Sequence, residues 1–170
     1  MAEKLIETNE RAVDREIVFT RVFDAPRGMV WEAWTDPKQL VRWWGPRGFT
    51  TTIDEMDVRA GGVWKLVMHG PDGTDYPNKS IFTEVVPYER LRYRLSGGER
   101  GGPAQFEMTA MFEDEGDKTR LTMRMVFASA AARDENVRVY GSIEGGKQTL
   151  ERLAEHLSAR FSAKTNGGVR

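Results

Sequence analysis

The run Leu121-Thr122-Met123-Arg124-Met125-Val126-Phe127 alternates apolar with mostly polar residues, the period of a β-strand with one buried face. Upstream the same period places Phe106, Met108, Ala110 and Phe112 on one face, then Leu91, Tyr93 and Leu95, then Trp64, Leu66 and Met68. The opposite positions are largely Lys65, Arg92, Arg94, Glu107, Thr109, Thr122 and Arg124, so one side of a sheet is solvated and the other is covered. Turn residues punctuate these runs at Ala60-Gly61-Gly62, Gly70-Pro71-Asp72-Gly73, Pro87-Tyr88-Glu89, the loop from Ser96 to Gly102, and Glu115-Gly116-Asp117. They delimit six strands, over 49–58, 63–69, 76–86, 90–95, 104–113 and 118–127, and a seventh over 16–23 precedes them. The spacing is that of an antiparallel meander.

Two short helices are expected between the first strand and the meander. Asp24-Ala25-Pro26 ends the strand, Pro26 suits a first helical position, and Val30, Trp31 and Trp34 recur at helical spacing to anchor the helix on the sheet. Asp36 reads as the N-cap of the second helix, with Pro37 at its first position and Gln39 as capping-box partner. Leu40, Trp43 and Trp44 form its apolar side, and Gly45-Pro46 stops it. The sheet's cover is expected from the C-terminal segment, where Leu150, Leu153, Ala154, Leu157 and Phe161 fall at i, i+3, i+4, i+7 and i+11 of an amphipathic helix starting between Ser142 and Gln148. The division is an N-terminal extension over 1–14, one domain over 15–161, and a small, polar tail over 162–170 read as disordered.

The 170 residues suffice for one domain with a real core. The absence of Cys excludes disulfide scaffolds, Cys-ligated metal sites and thiol nucleophiles, and two His residues exclude a His-rich metal site. With 25 basic against 26 acidic residues the net charge is −1, which gives no general attraction to nucleic acid or anionic membrane. The N-terminal residues interleave charges without an apolar core, and no run approaches the roughly 18 apolar residues of a membrane span. A cytoplasmic protein without membrane insertion, nucleic-acid partner, cofactor or metal is expected.

Strands of this number and length must coil into a trough, and one helix does not fill it. What remains is either packed by large side chains or left as a ligand cavity. The candidate lining is Trp64, Leu66, Met68, Tyr93, Met108, Met123 and Met125, since the flexible thioether suits irregular gaps and adaptable apolar binding alike. Tyr93, Tyr140 and the indole N–H groups of Trp43 and Trp64 are the interior polar groups that could orient a guest or be satisfied within the core. Trp43 and Trp44, adjacent on a short helix, cannot both point inward, so one belongs at the pocket mouth or on the surface.

Catalytic signals are weak. Gly141 to Gln148 matches G-x-x-x-x-G-K, but Gln148 stands where Ser or Thr would meet magnesium; Gly145 and Gly146 read better as close packing of a helix on the sheet. His69 lies near Asp75 but alternates away from Met68, His156 reads as surface, and no G-x-S-x-G is present.

The element order resembles the helix-grip fold of the START-like (SRPBCC) superfamily. Phe23-Asp24-Ala25-Pro26, the segment Val30 to Pro37, Trp43-Trp44-Gly45-Pro46, the segment Asp57 to Gly62, Gly70-Pro71-Asp72-Gly73, and the segment Gln148 to Leu153 are similar to the bacterial family related to the C-terminal domain of the activator of the heat-shock protein 90 ATPase. The resemblance implies an α+β fold, a curved seven-stranded antiparallel sheet wrapped around a long C-terminal helix, with a hydrophobic pocket between them and no transferable catalytic residue. Three functions follow as expectations: binding of a small apolar or aromatic molecule, a cyclase- or hydratase-type reaction in the same pocket, and contact with a chaperone through the segment around Trp43 and Trp44.

Overall fold

The computed structural model of the chain describes residues 14–95 and 106–169, with side chains through Arg160. The seven strands are β1 (Glu16–Phe23), β2 (Thr50–Met56), β3 (Val63–His69), β4 (Asp75–Val86), β5 (Arg90–Leu95), β6 (Phe106–Glu115) and β7 (Lys118–Phe127). They form one antiparallel sheet in the order β1-β7-β6-β5-β4-β3-β2, so β1 and β2 are its edges. The α+β helix-grip expectation holds. The ends of β1, β3, β5 and β7 fall where the alternation and turn residues place them. The expected 96–102 loop and the first residues of the expected sixth strand lie outside the described residues, as does nearly all of the 1–14 extension.

Register turns the alternation into buried rows. One inward row runs Ile17, Met125, Met108, Tyr93, Phe82 across five strands, and the next runs Phe19, Met123, Ala110, Leu91. All nine are buried. A third row runs Phe127, Phe106, Leu95, Ser80, Trp64, and here a small hydroxyl interrupts the large apolar side chains.

Helix α1 (Arg27–Thr35) and helix α2 (Pro37–Trp43) follow β1. Pro26 stands at the N-cap of α1 rather than inside it, a shift of one residue. The α2 start is as expected: Asp36 Oδ1 accepts from the Lys38 N–H at 3.0 Å, and Pro37 opens the helix. Gln39 reaches the cap through its side chain, Nε2 donating to Asp36 Oδ2 at 3.3 Å. Trp31, Trp34 and Trp43 are buried, and the Trp43 Nε1–H donates to the Ala33 carbonyl at 3.0 Å. That bond pins α2 against α1 and removes Trp43 from any pocket.

Helix α3 (Ala130–Tyr140) has no counterpart in the sequence reading. It is capped at both ends, Ser129 Oγ accepting from the Ala132 N–H at 3.0 Å and Gly141 closing the helix at φ 60°, yet none of its residues is fully buried. Caps and the turn after β7 define it, not an apolar stripe, so periodicity gives no signal. Tyr140, expected inside, is 57% exposed at its C-terminal end; this is a correction, because the helix carries the ring away from the core.

Helix α4 (Ser142–Val169) supplies the cover. Leu150, Leu153 and Leu157 are buried, and a Cβ at Gly146 would overlap the Phe19 ring, so the glycine lets α4 lie directly on β1. The G-x-x-x-x-G-K segment is thus the first turns of a helix packed on the sheet. The helix continues past Phe161, where the domain was expected to end, through Val169. The side chains of that last stretch lie outside the described residues.

Candidate functional site

At the β3–β4–β5 end of the inward face stands a cavity of about 130 Å³, lined by Trp44, Trp64, Leu66, Met68, Asn78, Ser80, Tyr93, Leu95 and Phe106. The register explains the hollow. Ser80 lies between Trp64 and Leu95, and Asn78 pairs with Leu66, so two short polar side chains occupy positions where their neighbours are large. On the other side of the row Met108 and Met125 fill the space.

Aromatic faces make most of the wall. Trp64 meets Trp44 and Tyr93 edge-to-face at ring distances of 5.2 and 5.1 Å and stacks on Phe82 at 5.8 Å. The polar groups in this wall are under-used. The Trp64 Nε1–H is buried without an acceptor. Tyr93 is 3% exposed, its hydroxyl has no hydrogen bond among the described residues, and burial alone pushes its pKa above the ordinary phenol value. Asn78 donates through Nδ2 to the Tyr76 carbonyl at 3.2 Å, and no partner for its Oδ1 lies among the described residues. Among the described residues no carboxylate, imidazole or cationic side chain lines the cavity.

Trp44 closes one side and is held from outside the sheet. The Arg152 guanidinium, on α4, donates to the carbonyls of Gly45 at 2.8 Å, Pro46 at 3.1 Å, Arg42 at 3.2 Å and Trp44 at 3.4 Å. Burial, then the charge of Arg47, lowers the Arg152 pKa from its usual value, although the group stays cationic. Thr51 Oγ1 donates to the same Trp44 carbonyl at 3.0 Å. Arg47 strengthens the join by pairing with Glu155 at 2.6 Å and Glu151 at 3.3 Å, while its backbone N–H donates to Gln148 Oε1 at 3.1 Å. Among the described residues no lining residue comes from α4. The helix acts on the cavity through Arg152, by fixing the connector between α2 and β2.

Of the residues expected to line a pocket, the structure brings together Trp44, Trp64, Leu66, Met68 and Tyr93. It does not bring in Trp43, fully buried behind Trp44, nor Met108, Met123 and Met125, which are packed in the core. Tyr140 is on the surface. The adjacent-tryptophan argument resolves as Trp43 inside and Trp44 at the mouth. Asn78 and Ser80 are the residues that the sequence reading missed as site residues. Their signal was the period-two series Tyr76, Asn78, Ser80, Phe82, which puts two small polar residues on the inward face.

Other groups lie apart from the cavity. His69 bridges Thr52 Oγ1 and Asp75 Oδ1, at 2.8 Å each, on the strand face opposite Met68. His156, expected on the surface, is half-buried: its Nε2 lies 3.0 Å from Gln39 Oε1, and burial, then Arg160 and Arg42, lowers its pKa. A larger groove of about 580 Å³ mixes Arg21, Asp24 and Asp117 with Phe23 and Leu157, and among the described residues no unpartnered buried polar atom lines it. Among the described residues no cluster of three or more acidic or His side chains could hold a metal, and no helix is long and apolar enough to cross a membrane.

The model of a protein family described as "Activator of Hsp90 ATPase homolog 1-like protein" matches residues 24–158. No curated protein matches. Solved structures do. A protein from Arthrobacter aurescens is 28% identical, with a TM-score of 0.79 and 89% of each chain covered. One from Mycobacterium smegmatis is 28% identical at a TM-score of 0.77, covering 88% of this chain and 94% of the other. A Nitrosomonas europaea protein, 24% identical at a TM-score of 0.76 over 88% of this chain and 97% of its own, shares the fold.

Proposed function

The chain belongs to the Activator of Hsp90 ATPase homolog 1-like family, and from that premise we propose that it binds a small apolar or aromatic molecule in the cavity behind Trp44. The observation that carries this reading is the hollow itself, about 130 Å³ within an inward face whose other rows are closed by large side chains. A fold that needed only a core would fill Ser80 and Asn78 with aliphatic residues, because cavities and unpartnered polar groups both cost stability. Retaining them is a loss that binding offsets.

The lining argues against the cyclase- or hydratase-type alternative. Among the described residues its single ionisable side chain is Tyr93, which burial holds in the protonated form, so they supply no base for proton transfer at neutral pH. The chaperone alternative loses its expected surface, since Trp43 is buried and Trp44 half-buried; it rests on the family description alone.

The test is a thermal-shift and native mass-spectrometry screen against small apolar and aromatic molecules, with Ser80→Phe as the filled variant. Hits that stabilise the native protein and are lost in the variant support the reading. A folded protein that takes up none of them at saturating concentration removes it. Unchanged chaperone ATPase rate on addition of the protein removes the chaperone alternative.

A further inference from the structure

We infer that the guest is an uncharged, single-ring molecule carrying one oxygen, which is received by Ser80, Asn78 and Tyr93 while the ring lies against Trp44 and Trp64. This deepens the ligand-binding reading and rests on it.

Size sets the first limit. An apolar cavity of roughly 150 Å³ takes a benzene ring, so the pocket of about 130 Å³ here, which is open on one side, has room for about one ring with any small substituent at the opening and not for fused rings held inside. Charge sets the second. Among the described residues no Arg, Lys or His lines the cavity, so a carboxylate entering it would lose its water with none of these cations to replace it. Polarity sets the third. Among the described residues the Trp64 indole N–H is buried without an acceptor, as are the Trp34 indole N–H and Arg133 Nε away from the void, and the Tyr93 and Ser80 hydroxyls that line the void have no hydrogen bond. Buried polar groups are ordinarily paired, so the Trp64 N–H in the wall of this void, with two unbonded hydroxyls opening on it, marks where a partner belongs. All of these groups are neutral, and together they offer donors and acceptors to a hydroxyl or carbonyl oxygen. A purely apolar guest would leave every one of them unpaired.

Phenol and toluene, matched in shape, are the probes, with benzoate and decanoate as charged and long-chain competitors; dissociation constants come from NMR titration of the full chain. The readout is the ratio of phenol to toluene affinity in the native protein against Ser80→Ala and Tyr93→Phe, since each ligand's own hydration cancels in that comparison. Each variant is expected to lower the ratio about three- to tenfold, the worth of one hydrogen bond, with toluene affinity nearly unchanged. Toluene binding with an unaltered ratio in both variants overturns the inference and leaves the apolar-cavity reading standing. Benzoate or decanoate displacing phenol also overturns it, by the wrong charge or the wrong size. If neither phenol nor toluene binds the folded protein, the underlying reading falls with it.

Discussion

Two halves of the same inward face are used differently. Across β1, β7 and β6 two rows hold Ile17, Phe19, Met108, Met123 and Met125, all buried; in the next row, after Phe127, Phe106 and Leu95, β4 supplies Ser80, with Asn78 two residues before it, and a void stands beside them. Methionine, which suits both packing and binding, serves here as packing. What makes room is a short polar residue surrounded by large neighbours. The lesson concerns where to look on a curved sheet: contrast in side-chain volume within a row locates a pocket better than the abundance of adaptable side chains.

The contrast is breakable, first on its filled half. Met123→Ala should cost about 2–5 kcal/mol in denaturant unfolding, the range for opening a cavity in a packed core. A loss below about 1 kcal/mol would mean that the β7 side is no better packed than the β4 side. Next, Arg152→Met keeps the apolar stem but withdraws the donors from four carbonyls, and should cost about 1–3 kcal/mol. It should also loosen Trp44, so guest affinity falls although the residue lines no cavity; unchanged affinity would show that the wall stands without its tether.

On the hollow half, Ser80→Val should leave stability unchanged or raise it by about 0.5–1 kcal/mol, because it adds apolar volume and removes an unpaired hydroxyl. Destabilisation as large as that of Met123→Ala would erase the distinction between the halves. The smallest effect is acid sensitivity at His156. Its folded pKa lies below the ordinary imidazole value of about 6.5, so the unfolded chain binds the extra proton more readily and stability falls as pH drops through about 6.5 and below. His156→Gln should flatten that part of the stability profile, and an identical slope in the variant would clear His156 of the effect.

Much of the fold was legible because its boundaries are chemical. Glycine and proline turns end β3 and start β5, and Asp36-Pro37 fixes the start of α2, so these edges agree with the sequence reading. Helix α3 was illegible for the converse reason: it buries nothing fully, so no stripe announces it, and Tyr140 was assigned to an interior it never enters. The site was half legible. Period two puts Trp64, Leu66, Met68 and Tyr93 on the inward face, but it does not say which part of that face is empty. Asn78 and Ser80 carry that information, and polar residues in a strand are ordinarily assigned to the wet side.

Because Trp44 hangs from α4 by the Arg152 carbonyl clasp, one wall of the cavity belongs to a different structural unit from the other walls. A change of side chain on the helix can therefore widen or narrow the opening while every strand residue stays as it is. The shape of the opening is thus set by an attachment on the helix, separately from the strand residues that form the rest of the wall.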